Sequence, residues 1–440
     1  MQDWLTMSAA ELGRGIDTGE IDPVALTETY LAAIAAHPFA ERIYVHVTAD
    51  RARAEAQAAA ERAKAGKRLS LLDGVPISWK DLYDTAGDPT ESGTLMLKGR
   101  VPDQDALVVR NATAAGLVCL GKTHQTEFAF SGLGVNPVTQ SPPNVNDHEA
   151  ASGGSSSGAA ASVAHGLAAA AIGSDTGGSV RIPSVWNDLV GLKTVSGRVS
   201  LEGVVPLCAR FDTVGPLCRS VEDAALLLAA LENGTPADLS GAALEGKHFG
   251  LLTTTAFDGI EDKPRAAFRN AVERLQAAGA RVSEIEVPEV EEATRLGPIV
   301  FPYEAYNTWK DQIDGGADKM YAPVRERFLQ GKTISAEDYA AAWERLEALR
   351  KGYLEKTAGF DALVLPSTPV APPKIAALLA DGDYFTKMNL MALQNTRIGN
   401  LMGLCAITLP TGVPSTGIML QAAREEHLLP LALAAENALA

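Results

Sequence analysis

Residues 173–184, GSDTGGSVRIPS, hold two adjacent glycines followed by a serine, and then an arginine and a proline. Backbone N–H groups in such a glycine-rich turn converge on one point and favour negative charge there. Gly177 and Gly178 also carry no side chain that would block a ligand. The turn could bind a phosphate group, or it could stabilise the oxyanion of an acyl-transfer intermediate beside Ser179. A purely structural turn is the third interpretation.

A second glycine pair stands upstream, in SGGSSSG at residues 152–158. Neither turn fits a phosphate-binding motif, because SGGSSSGA is not G-x-x-x-x-G-K-[ST] and is not followed by a lysine, and no G-x-G-x-x-G opens a helix after a strand. The acyl-transfer interpretation is therefore favoured. Between the turns, Ala159 to Ile172 is a run of small apolar residues, and we expect one continuous helix that brings the two turns together.

A serine nucleophile needs a base, and none of the seven histidines lies in a recognisable triad setting such as a G-x-S-x-G elbow. Lys80 is the candidate, since Ser–Lys pairs replace Ser–His pairs in some hydrolases. It ends the apolar run VPISWK, where burial would lower the pKa of its ammonium group toward the neutral form that a base requires. A surface Lys80–Asp81 ion pair at the end of a strand is the competing interpretation.

Composition and charge limit the partners of this 440-residue chain. Its formal net charge of −16 at pH 7 argues against nucleic acid or an anionic membrane surface. The N-terminus has no basic segment followed by an apolar core, and no apolar stretch reaches the roughly 18 residues of a membrane span, so we expect a cytoplasmic protein. The four cysteines form no C-x-x-C pair, which favours free thiols over disulfides or zinc.

Three segments resemble, in the same order, the amidase signature family: GVPISWKD at 74–81, SGGSSSG, and GSDTGGSVRIPS. Further segments over most of the chain are similar to that family, among them NTRIGNLMGLCAITLPTG at 395–412. The family hydrolyses amides and related bonds with a Ser–Ser–Lys triad. The resemblance implies that Ser179 is the nucleophile, that Ser155 is the bridging serine after a cis peptide bond, and that Lys80 is the general base and acid. It implies neither a cofactor nor a metal ion.

The resemblance also implies roles for residues around the triad. The oxyanion hole would be formed by the backbone N–H groups of Thr176, Gly177, Gly178 and Ser179. Ala129, in EFAFSG at 127–132, stands where some members make a backbone contact with substrate. The loop would be supported by Ser156, Asp175 and Arg181. We expect Arg181 to pair with a carboxylate such as Asp175 rather than with the substrate.

Alternating strand and helix patterns predict an α/β fold with helices packed on a sheet. With the resemblance, they imply one amidase-signature domain over 1–440, built on a large mixed, mostly parallel β-sheet sandwiched by helices. Its parts would be N-terminal helices in 1–66, the signature core in 67–234, a variable helical cap in 295–357 and the rest of the core in 358–440. A turn and a buried helix are expected from DTVGPLCRSVEDAALLLAAL.

Several substrate classes occur in the family, including amides, aryl amides, carbamates and urea derivatives, and one member is the A subunit of the tRNA-dependent amidotransferase. That member uses an acidic residue near the end of the chain to hold the amino group of glutamine, and residues 386–404 contain no Asp or Glu. We therefore favour a free-standing hydrolase of a small-molecule amide, with a carbamate (urethane) or an aryl amide as alternatives. A catalytically inactive binding protein is disfavoured because all three triad residues are present. Homodimer formation stays open.

Aromatic residues of the cap favour an apolar or aryl acyl group, unless they only pack the cap's own core. They are Phe301, Tyr303, Tyr306, Trp309, Tyr321 and Phe328.

Overall fold

One mixed β-sheet of eleven strands runs through the part of the chain that the computed structural model describes, residues 2–316 and 318–440. The strands are β1 (Tyr44–Val47), β2 (Pro76–Lys80), β3 (Val118–Thr123), β4 (Ala170–Ser174), β5 (Val190–Lys193), β6 (Val214–Cys218), β7 (His248–Leu252), β8 (Arg281–Ile285), β9 (Ala362–Pro366), β10 (Cys405–Pro410) and β11 (Gly417–Ala422). Across the sheet they follow the order β1-β3-β2-β4-β6-β5-β10-β11-β9-β7-β8.

Helices flank this sheet. They are α1 (Ala9–Asp17), α2 (Pro23–Ala36), α3 (Ala40–Ile43), α4 (Ala49–Lys64), α5 (Leu107–Ala114), α6 (Ser157–Ala164), α7 (Arg181–Trp186), α8 (Val221–Glu232), α9 (Asp262–Ala277), α10 (Pro288–Gly315), α11 (Ala322–Gln330), α12 (Ala336–Thr357), α13 (Ile375–Ala380), α14 (Gly382–Leu393), α15 (Thr396–Leu401) and α16 (Glu425–Leu439). None of the described helices combines the length and the hydropathy needed to cross a bilayer.

The predicted fold class, a large mixed sheet with flanking helices, is confirmed. The expectation that the sheet is mostly parallel is wrong. Among the described strands, only four neighbouring pairs are parallel, β2–β3, β2–β4, β7–β8 and β7–β9. The other six pairs are antiparallel. Strand–helix alternation indicates crossover connections, but it does not give the order in which strands insert between one another.

The continuous helix expected over residues 159–172 is also wrong. Helix α6 ends at Ala164, Gly166 follows with a φ of +72°, and β4 begins at Ala170. Small apolar residues suit both a closely packed helix and a fully buried strand, so their pattern could not separate the two. The turn expected at the start of DTVGPLCRSVEDAALLLAAL is also wrong, because residues 214–218 form strand β6, in which Gly215 and Pro216 favour a turn when the sequence is considered alone.

The sheet brings two chain segments to one edge. Strands β2 and β4 run parallel, with Ile77 opposite Ala170 and Trp79 opposite Ile172. Their carboxyl ends therefore lie side by side, and β2 ends at Lys80 while β4 ends at Ser174. All five residues of β2 are buried, as expected for a strand with parallel neighbours on both sides. In open α/β sheets, the carboxyl edge of such strands is where ligands bind.

The segment 295–357 is mostly helical, as the sequence predicts. It contains most of α10 and all of α11 and α12. Helix α10 packs against α11, α12 and α15. This segment is therefore joined to the core through α15.

Candidate active site

Lys80 is fully buried at the carboxyl end of β2. Its Nζ atom donates to Ser155 Oγ at 2.6 Å and to Ser174 Oγ at 2.8 Å. Burial lowers the pKa of the Lys80 ammonium group to about 7, although Asp175 and Asp212 act in the opposite direction. An amine with such a pKa is partly neutral at neutral pH and can accept a proton.

The alternative of a surface Lys80–Asp81 pair is wrong. Asp81 is buried and lies 3.5 Å from Lys122 Nζ, not against Lys80. Burial raises the pKa of the Asp81 carboxyl to about 6. The two neighbouring residues thus belong to different polar groups of the core.

Ser155 lies in the first glycine turn, just before α6. The peptide bond between Gly154 and Ser155 is cis. A Cβ atom at Gly154 would lie 2.6 Å from the Gly134 nitrogen and 2.7 Å from Thr126 Oγ1, so only glycine fits this close approach. The turn is therefore packed tightly against the segment that follows β3.

Ser156 connects the two glycine turns. Its backbone N–H donates to the Ser179 carbonyl at 3.2 Å, and its hydroxyl donates to the Ser174 carbonyl at 3.2 Å. The two turns are therefore in direct contact, held by hydrogen bonds rather than by the connecting segment alone.

Arg181 and Asp175 form a fully buried ion pair beneath the second turn. Arg181 Nε and Nη2 donate to the two Asp175 oxygens at 3.0 and 2.9 Å. Arg181 also donates to the Thr396 carbonyl and to Asn400 Oδ1, each at 2.6 Å. Burial alone would raise the pKa of the Asp175 carboxyl, but Arg181 outweighs burial and holds it at about 2. Arg181 thus pairs with Asp175 and supports the loop, as we expected from the sequence.

The second turn also rests on the first residue of α15. Thr396 Oγ1 donates to the Gly177 carbonyl at 2.8 Å. Gly178 has a φ of +145°, and a Cβ atom there would lie 2.1 Å from Thr396 Oγ1. Thr176 is fixed from the other side, because its hydroxyl donates to Asp212 at 2.5 Å. The turn is thereby held rigid at three successive residues.

Ser179 lies at the wall of a pocket that is partly open to solvent. Thr176, Gly177 and Ala129 line the same pocket. Ala129 has a φ of +59°, so its backbone is turned in a way that few non-glycine residues adopt. Among the described residues no hydrogen bond joins the Ser179 hydroxyl to that of Ser155. Their connection in this structure is the backbone bond from Ser156 N–H to the Ser179 carbonyl.

Sequence reasoning missed several residues of the site. Ser174, a second partner of Lys80, stands inside the quoted stretch 173–184 but had no motif role. The pocket is also lined by Phe301, Arg327, Leu393 and Arg397. Arg397 stands within the quoted stretch 395–412, whereas nothing around Arg327 in the sequence marks it.

The cap aromatics give little support to an aryl substrate. Only Phe301 among them is a lining residue of the pocket. Phe328 is buried against the rings of Phe128 and Phe130, and Tyr303 stacks on Tyr339. These rings stabilise the packing of the cap, which was the second interpretation of their presence.

A buried lysine bonded to a serine thus lies beside a glycine-rich turn that carries another serine. The chain belongs to the amidase family, whose model matches residues 25–425. This family cleaves carbon–nitrogen bonds.

Individual proteins agree with this assignment. The chain is 36% identical over 419 residues to 2-amino-5-chloromuconic acid deaminase of Comamonas testosteroni, with 92% of this chain and 89% of the relative covered. It is 33% identical over 449 residues to the A subunit of glutamyl-tRNA(Gln) amidotransferase from Anaeromyxobacter sp. (strain K), with 92% and 90% covered. A crystal structure of an amidase superposes with a TM-score of 0.87 at 32% identity, covering 98% of this chain and 99% of the other.

Proposed function

We propose that this chain hydrolyses the C–N bond of a small-molecule amide through an acyl-enzyme on Ser179. The observation that carries the proposal is the 2.6 Å hydrogen bond between Lys80 Nζ and Ser155 Oγ in a fully buried setting, next to the turn that holds Ser179. Burial keeps the Lys80 amine near neutrality, and Ser156 holds the two serine turns together.

The proposed reaction begins with a proton relay. Ser179 Oγ attacks the carbonyl carbon while its proton passes to Ser155, and Ser155 passes its own proton to neutral Lys80. The relay requires the Ser179 hydroxyl to turn toward Ser155 when substrate binds. The carbonyl oxygen becomes an oxyanion, which the backbone N–H groups of residues 176–179 would stabilise by roughly 3 kcal/mol for each well-placed donor.

Collapse of this intermediate breaks the C–N bond. The proton held by Lys80 returns through Ser155 to the leaving amine, and the acyl group stays on Ser179 as an ester. Water then adds to the ester carbonyl, its proton follows the same relay, and the released acid regenerates the Ser179 hydroxyl. The remaining residues have supporting roles: Asp175 and Arg181 hold the turn, and Ala129 offers its backbone to the substrate.

Other substrates of the same site are carbamates and aryl amides, which would form an acyl-enzyme by the same steps. The Comamonas relative is named for a carboxylic acid, 2-amino-5-chloromuconic acid, so acidic substrates belong in the same comparison. A component of an amidotransferase is the further alternative, in view of the Anaeromyxobacter relative. The absence of Asp and Glu from residues 386–404 argues against it.

A hydrolysis assay on the purified chain alone tests the proposal. The panel contains aliphatic amides, aryl amides and aryl carbamates, and product release is measured for the wild type and for Ser179→Ala. We expect Ser179→Ala to lower kcat/KM by roughly 10³-fold or more, because the nucleophile is lost.

The matched control is Ser184→Ala. Ser184 is a buried serine of α7 whose hydroxyl has no hydrogen-bond partner among the described residues. This variant should keep wild-type activity, and circular dichroism should show both variants folded. Substantial hydrolysis by a folded Ser179→Ala variant would refute the mechanism, and activity only with added partner proteins would favour the amidotransferase alternative.

A further inference from the structure

Two arginine side chains line the same pocket as Ser179. They are Arg327 of α11 and Arg397 of α15. No Asp or Glu is among the described residues that line this pocket. Within residues 2–316 and 318–440, neither arginine has a carboxylate within ion-pair distance. The chain carries a net charge of −16. Among its described residues, however, this pocket holds two positive charges and no carboxylate to pair with them.

Arg327 is held in place by Phe130. Its Nη1 atom donates to the Phe130 carbonyl at 2.6 Å, and its Cζ atom lies 4.2 Å from the centroid of the Phe130 ring. A guanidinium group has five N–H donors, and this backbone bond uses one of them. The other N–H donors of this guanidinium group are available to a ligand, and the bond to Phe130 fixes their orientation.

Arg397 lies beside α10. Its Cζ atom is 5.8 Å from the centroid of the Phe301 ring. Its Nη1 atom would be 3.9 Å from a Cβ atom at Gly297, which places the guanidinium group next to that residue of α10. Within the described part of the chain, the Arg397 side chain has no hydrogen-bond partner. Its donors are therefore unused by those residues and can serve a ligand.

The positive charges of the two guanidinium groups destabilise each other. Burial lowers the pKa of Arg327 to about 9, and the charge of Arg397 acts in the same direction. Burial lowers the pKa of Arg397 to about 10. Both side chains are half-buried and stay positive at pH 7, where incomplete hydration makes an unpaired charge costly. An anion bound between them would relieve that cost.

We propose that Arg327 and Arg397 together bind a carboxylate on the acyl part of the substrate, which makes the preferred substrates monoamides of short dicarboxylic acids. This inference rests on the proposed function, because it assigns the acyl group that Ser179 receives. The planar guanidinium fork matches a carboxylate through paired, charge-assisted hydrogen bonds. Both arginines line the same pocket as Ser179, so the carboxylate and the amide carbonyl of one short ligand would lie within that pocket.

The test compares monoamides with neutral amides of the same carbon count. Succinamate, glutaramate and adipamate are paired with butanamide, pentanamide and hexanamide, in which a methyl group replaces the carboxylate. The measured quantity is the ratio of kcat/KM within each pair, from ammonia release. We expect the wild type to favour the best carboxylate substrate by roughly 10- to 100-fold, as is typical of hydrogen bonds between charged groups.

Arg397→Met should reduce this ratio by about the same factor. Arg397→Lys keeps the positive charge but not the planar guanidinium group, so its ratio should lie between those of the wild type and Arg397→Met. The control is Arg295→Met, because Arg295 lies on α10 with 70% of its side chain exposed and pairs with Glu291. Its ratio should equal that of the wild type. A ratio near one in an enzyme that hydrolyses the neutral amides would overturn the carboxylate inference while the proposed function stands.

Calorimetry separates the two proposals further. Glutaramate and adipamate are titrated into Ser179→Ala, with and without Arg397→Met. We expect binding that weakens with added salt and with loss of Arg397, whether or not turnover occurs. No binding of either ligand to a folded Ser179→Ala variant would overturn the inference. Binding that depends on Arg397, without hydrolysis by the wild type, would sustain the subsite and count against the proposed function.

Discussion

The chemistry available to Lys80 depends on where the sheet places it. The residue ends a strand whose five residues are all buried, and its Nζ atom contacts Ser155 and Ser174. Desolvation favours the neutral amine, whereas the buried carboxylates of Asp175 and Asp212 favour the charged one. Desolvation is the larger effect, which gives a lysine that can exchange a proton near pH 7.

This balance predicts the pH dependence of the reaction. The base must be neutral, so kcat/KM should rise with pH through an apparent pKa of about 7 and level off above it. Lys80→Ala should abolish the activity. The measurement is a pH–rate profile of kcat/KM on a neutral amide, whose own charge does not change.

His124 offers the control for that profile. It is buried near the site, and burial lowers its pKa to about 4. His124→Gln should leave the position of the rising limb unchanged. If Lys80→Ala kept the wild-type profile, or if His124→Gln moved it, the base would not be Lys80.

Among the elements, the contact between the second glycine turn and α15 fixes the geometry of the pocket. Thr396 bonds the Gly177 carbonyl, and Gly178 passes so close to Thr396 that a side chain would not fit. Arg397 of this short helix lines the pocket. Thr396 and Asn400 of the same helix accept hydrogen bonds from Arg181. One helix of six residues thus supports the proposed oxyanion hole and carries one of the two arginines of the proposed carboxylate subsite.

Gly178→Ala tests this contact. The added methyl group would lie 2.1 Å from Thr396 Oγ1, so the turn must move away from α15. A displacement of about 1 Å at the reacting centre can cost up to roughly 100-fold in rate, and we expect kcat/KM to fall toward that extent. Gly359→Ala is the control, because a Cβ atom there meets nothing within 4 Å. Wild-type kinetics in Gly178→Ala would show that the turn tolerates the shift.

At the scale of the whole molecule, Arg181 ties together segments far apart in the chain. It pairs with Asp175 in the loop after β4 and bonds Thr396 and Asn400 of α15, which lie 215 and 219 positions further along. The Asn400 side chain also donates to Asp175 at 2.9 Å. This buried network joins the signature core to the C-terminal part of the sheet.

Removing the cation alone should be strongly destabilising. In Arg181→Met the Asp175 carboxylate would stay buried without its partner, and the free energy of unfolding should fall by roughly 3–5 kcal/mol. Urea unfolding followed by circular dichroism measures the change. Arg345→Met is the control, because Arg345 pairs with Glu292 on the surface with half of its side chain exposed, and it should change the stability little. Equal effects from both variants would contradict the role given to the buried pair.

Much of the candidate site could be predicted from the sequence because short motifs carry it. Lys80, Ser155, Ser156, Asp175, Ser179 and Arg181 stand in the three quoted segments, and the structure brings all six together. Local patterns also predicted the alternation of strands and helices, since it depends on periodicity within a few residues. The helix expected over 159–172 failed where small residues fit two structures equally well.

The sequence by itself determined the family and the presence of a mixed sheet with flanking helices, and it supplied the candidate reactive residues. Only the tertiary structure decided the strand order, with its excess of antiparallel pairs, and the composition of the pocket wall. Arg327 and Arg397 are 70 positions apart in the sequence and line one pocket because α11 and α15 both lie beside it. The physical reason is that a motif is read from neighbours along the chain, whereas charge in a pocket depends on residues that meet only after folding.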